Sequence, residues 1–61
     1  MNIKEKKEIK QIESDLIVIA GGLAGLAAGE PNRTVKELLF EKHDTLLEIH
    51  GKLVKLRKGG V

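Results

Sequence analysis

Apolar residues recur along this chain at intervals of three and four, in two arms divided by a single breaker. The first arm reads Ile9, Ile12, Leu16, Ile19, Leu23 and Leu26; the second reads Val35, Leu39, Leu46, Ile49, Leu53 and Leu56, with Lys42 filling the one polar position. An α-helix turns once in about 3.6 residues, so positions spaced this way share a face. Sustained through both arms, the pattern predicts paired helices over about 3–28 and 34–58, with a turn at 29–33. Gly29-Glu30-Pro31-Asn32 supplies the break, because proline lacks a backbone donor and restricts the residue before it. Two arms of nearly equal length suit an antiparallel pair. The predicted fold class is all-α, a helical hairpin forming a single domain over residues 1–61.

End signals agree with the periodicity. Thr34 with Glu37 has the spacing of a capping box, and Asn2 with Glu5 has the same spacing at the start of the first arm. Lys55, Arg57 and Lys58 precede Gly59-Gly60, where cations complement the helix dipole and glycine permits a left-handed cap.

The first arm carries a feature a lone hairpin does not explain. Gly21, Gly22, Gly25 and Gly29 each cost about 1 kcal/mol relative to alanine inside a helix. Gly21, Gly25 and Gly29 are four apart, a stripe that allows another backbone to approach closely. From Leu16 to Ala28 the segment is also apolar all round, and a helix of that kind needs burial on every side. Two helices cannot supply it, so the hairpin is expected to assemble into a four-helix or larger bundle. The interface is expected to draw on Ile12, Leu16, Ile19, Leu23, Leu39, Leu46, Ile49 and Leu53. A second apolar stripe, Phe40, Leu47 and Val54, gives each helix a second neighbour, as bundles require.

A competing reading makes Leu16-Ile17-Val18-Ile19-Ala20 a buried strand, since β-branched residues favour strands. The glycines would then form a strand-to-helix turn, giving an α/β strand-turn-helix. The tail Leu46–Leu56 would fold back around His50-Gly51-Lys52.

Composition narrows the function. With 61 residues, the chain buries only roughly 60% of the surface its unfolded form exposes. Scaffolds of this size compensate with disulfides, metals or association. The absence of cysteine removes disulfides, thiolate metal sites and thiol chemistry, and two histidines are too few for a closed zinc site without carboxylate help. Phe40 is the only aromatic residue, which argues against single-strand recognition by base stacking. No cofactor and no metal are expected. The net charge is +2, with Lys4, Lys6, Lys7 and Lys10 at one end and Lys52, Lys55, Arg57 and Lys58 at the other. The uncharged run Leu16–Gly29 has 14 residues, fewer than the roughly 20 that span a bilayer. Glu13 and Asp15 before it make a poor signal-peptide flank. A cytoplasmic location is expected.

Lys36, His43, His50 and Arg57 are seven apart and form one stripe down the second arm. Opposite a second copy they are a candidate groove for phosphate or nucleic acid, or a histidine contact sensitive to pH or metal. The plainer reading makes them boundary positions with polar tips in water. No cysteine accompanies the histidines and Ser14 is the only serine, so no catalytic residues are assigned and no enzyme activity is expected.

Two resemblances add to this, one local and one of overall layout. Asp15-Leu-Ile-Val-Ile-Ala-Gly-Gly-Leu-Ala-Gly-Leu-Ala-Ala28 resembles the dinucleotide-binding opening of FAD-dependent oxidoreductases, with Ala20 in place of the first glycine. It implies a strand-turn-helix cradle for a pyrophosphate. In size and layout the chain is similar to the small sporulation-type aspartyl-phosphate phosphatases, helical hairpins that dock on response regulators. Of their Ser-Gln-x-Leu-Asp signature, the stretch Phe40-Glu41-Lys42-His43-Asp44 keeps Asp44 alone. The expected function is a non-catalytic interaction or regulatory module that self-associates and binds a protein or nucleic-acid partner. The alternatives are a structural or membrane-associated subunit packing through the glycine-spaced segment, and a flavoprotein-related fragment.

Overall fold

The computed structural model describes residues 2–59 and shows two α-helices packed as an antiparallel hairpin. Helix α1 spans Ile3–Gly29 and helix α2 spans Arg33–Gly59, 27 residues each. Among the described residues there is no strand. The segment Leu16–Ala20 is helical despite its β-branched residues, and so is 46–56. A short isolated strand would leave its backbone donors and acceptors without a partner, whereas a helix satisfies them within itself.

Each helix start is fixed by an asparagine. Asn2 caps α1: its Oδ1 accepts from the Glu5 backbone N–H at 2.8 Å, and its Nδ2 donates to Glu5 Oε1 at 2.8 Å. The expected pairing of Asn2 with Glu5 therefore forms. At α2 the capping residue is Asn32, whose Oδ1 accepts from the Val35 N–H at 3.0 Å. Thr34 lies inside the helix, and Glu37 pairs with Arg33 at 3.3 Å instead of closing a capping box. The helix starts earlier because asparagine is at least as good a cap as threonine and sits nearer the turn.

At its far end α1 leaves in an extended conformation, with Glu30 at φ −82°, ψ 119° and its N–H donating to Ala27 O at 3.2 Å. Pro31 follows, and its ring disfavours helical geometry in the residue before it. No described glycine has positive φ. Gly59 is helical, and Gly60, the other half of the expected glycine cap, lies outside the described residues.

The core is a narrow seam between the helices. Its fully buried members all come from α1: Ala20 and Ala27, 2% and 0% exposed, together with Glu13. Ile9, Leu16, Leu23 and Ala24 are half-buried beside them, and α2 answers with half-buried Leu39, Leu46, Leu53 and Val54. Alanines on one helix thus receive longer side chains from the other, which lets the axes approach. The result is a rod of 45 × 14 × 9 Å.

Candidate interaction surfaces

Among the described residues one polar constellation crosses the seam. Arg57 donates two hydrogen bonds to Glu13, Nε to Oε2 at 2.8 Å and Nη2 to Oε1 at 3.0 Å. This is the planar fork that makes arginine–carboxylate pairs directional. The Arg57 hydrogen bond holds the Glu13 carboxyl below its ordinary range; burial opposes this, and the charges of Arg57, His50 and Lys10 add to it. The same bond raises Arg57 further above its ordinary value. His50 lines the groove beside this pair, with Lys10, Ser14 and Ile17.

The stripe Lys36, His43, His50 and Arg57 runs along this seam, each member half-buried towards α1. Arg57 is engaged by Glu13 and its fork is not free for an anion. His43 Nδ1 lies 3.2 Å from Asp44 Oδ1, and its ring meets Phe40 edge-on at a centroid distance of 6.5 Å. Asp44, the position shared with the phosphatase signature, is exposed on α2.

Residues expected at an interface divide into two sets. Leu16, Leu23, Leu39, Leu46, Leu53 and Val54 are half-buried within the hairpin itself. Ile12, Ile19, Phe40, Leu47 and Ile49 remain 39–52% exposed. Gly21, Gly25 and Gly29 are exposed, and a Cβ added at any of them meets nothing within 4 Å. The close approach of α2 rests on Ala20 and Ala27 instead. The segment 15–28, which carries the dinucleotide-like glycines, is helical throughout.

Sequence reasoning missed Glu13. The signal was there: Glu13, Ala20 and Ala27 are seven apart on the face that carries Ile9 and Leu16. A carboxylate on an apolar face needs a cationic partner, and Arg57 was the cation on the matching face of the other helix.

The groove containing Lys10, Ser14 and Ile17 together with His50 and Arg57 fixes which flanks of the helices share a side. On that side α1 presents Ile3, Lys6, Lys7, Lys10, Ser14, Ile17 and Val18, which follow one another at helical spacing. On the opposite side α1 presents Ile12, Ile19 and Leu26, and α2 presents Val35, Leu38, Ile49 and Leu56, all 40–65% exposed. The two sides differ in charge. The Ile19 side carries Glu5, Glu8 and Asp15 on α1 against Lys42 and Lys52 on α2, whereas on the other side the α1 flank is rich in lysine and the α2 stripe through Lys58 carries Asp44 and Glu37 nearer the turn.

No protein-family model matches the chain, and neither a curated protein nor a solved structure matches it.

Proposed function

We propose that this chain is a non-catalytic interaction module whose hairpins pair with one another into a four-helix bundle through the Ile19 side. The observation that carries this reading is the mismatch between what the hairpin buries and what it exposes. Its fully buried apolar residues are two alanines, while Ile12, Ile19 and Leu26 on one helix and Leu38, Ile49 and Leu56 on the other stay open along a single side. Fully burying each large aliphatic side chain is worth about 1.5–3 kcal/mol, more than the alanine seam supplies per residue.

Charge selects the arrangement within the pair. On this side α1 is rimmed by acids and α2 by lysines, so α1 of one copy against α2 of the next sets Asp15 and Glu8 near Lys42 and Lys52. Contact of α1 with α1 would set like charges together, which disfavours it. Each helix then has two neighbours, as in four-helix bundles.

Sedimentation equilibrium in the micromolar range tests the proposal. A mass twice that of the 6.7 kDa chain is expected, and Ile19→Lys is expected to return it to the monomer. The charge reversals Lys42→Glu and Asp15→Lys are each expected to weaken the dimer, and to restore part of it when combined. A fully helical wild-type monomer throughout that range overturns the reading.

A further inference from the structure

The side of the hairpin that the pairing leaves free has a chemistry of its own. At the open end, Ile3, Lys6, Lys7, Lys10, Arg57 and Lys58 line a groove of about 460 Å³. Arg57 is held by Glu13, so the free cations there are four exposed lysines. Helical spacing carries the same flank of α1 on to Ile17 and Val18 in the adjoining groove. Among these aliphatics Ile3 is 75% exposed and Val18 is 74% exposed. Among the described residues Glu13 is the one acid on this flank of α1, and its charge is met by Arg57.

We propose that this flank docks the hairpin on an anionic bilayer surface. Lys6, Lys7, Lys10 and Lys58 would meet the headgroups, and Ile3, Ile17 and Val18 the acyl boundary beneath them. Clusters of four to eight cations beside apolar residues bind anionic leaflets through charge and burial together. Lysine suits that boundary because its stem lies on apolar surface while the ammonium reaches the headgroup. A nucleic-acid backbone would satisfy the lysines but leave the exposed aliphatics with nothing to bury against. This flank of α1 also carries neither an aromatic residue for stacking nor a free guanidinium fork.

Helix α1 is by length and composition apolar enough to cross a membrane, with an 18-residue stretch of mean hydropathy 1.5. Any 18-residue stretch of Ile3–Gly29 takes in both Glu13 and Asp15, since the uncharged run is only Leu16–Gly29. That run covers about 21 Å as a helix against a hydrocarbon core of about 30 Å. Lying on the surface therefore fits better than spanning. The docking flank is separate from the pairing side, so the two proposals stand or fall independently.

Co-sedimentation with phosphatidylcholine vesicles, with and without phosphatidylglycerol, tests this on the wild-type chain. Binding is expected to the anionic vesicles alone and to weaken as salt rises. Each lysine near such a surface contributes roughly fivefold, so Lys7→Gln with Lys10→Gln is expected to weaken binding by about 25-fold. Ile17→Ser with Val18→Ser is expected to weaken it as well, and helix content by circular dichroism checks that the variants stay folded. The Ile19→Lys monomer is expected to retain binding, which separates this result from the fate of the pairing side. No binding to anionic vesicles at low salt overturns the proposal, as does binding that ignores both the lipid charge and the lysine substitutions. Binding to a short DNA duplex that survives Ile17→Ser with Val18→Ser also overturns it, in favour of a nucleic-acid surface.

Discussion

Helices α1 and α2 have the same length and opposite strategies. Helix α1 gives the hairpin its buried residues, and all of them are small or charge-paired: Ala20, Ala27 and Glu13. Helix α2 has no fully buried residue and covers those alanines with half-buried leucines and the stripe Lys36, His43, His50 and Arg57. The closeness of the pair is thus set by α1, and its specificity by α2, whose Arg57 finds the one carboxylate in the seam. Ile12, Ile19 and Leu26 of α1 are left over, because the face that meets α2 centres on the alanines.

The most severe test of that division is Ala27→Leu. Ala27 is 0% exposed, so a larger side chain must push the helices apart, at a cost of about 1–3 kcal/mol in thermal or urea unfolding. The same exchange at the exposed Ala28 is expected to change stability by less than about 0.5 kcal/mol. If the two variants unfold alike, the seam does not set the spacing. Next, Asn32→Ala removes the cap of α2 and is expected to cost about 1 kcal/mol; Thr34→Ala, inside the helix, is expected to cost less.

The glycines sharpen the comparison further. A methyl at Gly25 meets nothing within 4 Å, and the same holds at Gly51 on α2. Each Gly→Ala exchange is expected to stabilise the helix by about 1 kcal/mol through backbone entropy alone. A gain at Gly51 with a loss of association at Gly25 would show that the glycine stripe of α1 meets another backbone in the assembly.

The smallest effect concerns pH. The Glu13 carboxyl is held low in the folded chain by Arg57, so its contribution is complete above the unfolded value of about 4.3 and is lost as pH falls through the folded one. The stability difference between wild type and Glu13→Gln is expected to be constant from neutral pH down to about 5 and to shrink below about 4. Thermal melts at stepped pH measure it. A difference unchanged at low pH would show that packing, and not the charge pair, holds this end.

The hairpin was legible because both arms keep a three-and-four spacing and the break contains Pro31. The face that forms the seam was harder to read. Large residues dominated the expected seam, with Ile12, Ile19 and Ile49 in it, whereas the structure turns Ala20 and Ala27 inward and leaves those isoleucines 41–52% exposed. Hydrophobicity alone ranks isoleucine above alanine; close helix packing reverses the order, since only a small side chain allows short axial separation. The stripe ending in Arg57 was visible as a stripe. Its orientation was not, because Glu13 borders the apolar run and reads from the sequence as its flank.

The Glu13–Arg57 pair joins residues 44 positions apart, tying the free end of α2 to a point ten residues inside α1, while Asn32 caps α2 at the turn. Helix pairing that starts at the turn closes the shortest loops first, so this pair forms late and opens early. Amide exchange protection is then expected to be highest near Ala27 and to decline towards Ile3, with a step at Glu13. Opening beyond that step releases the lysine-bearing end of α1 from α2 without dismantling the alanine seam. The clasp between the two helices is also the latch on the basic arm.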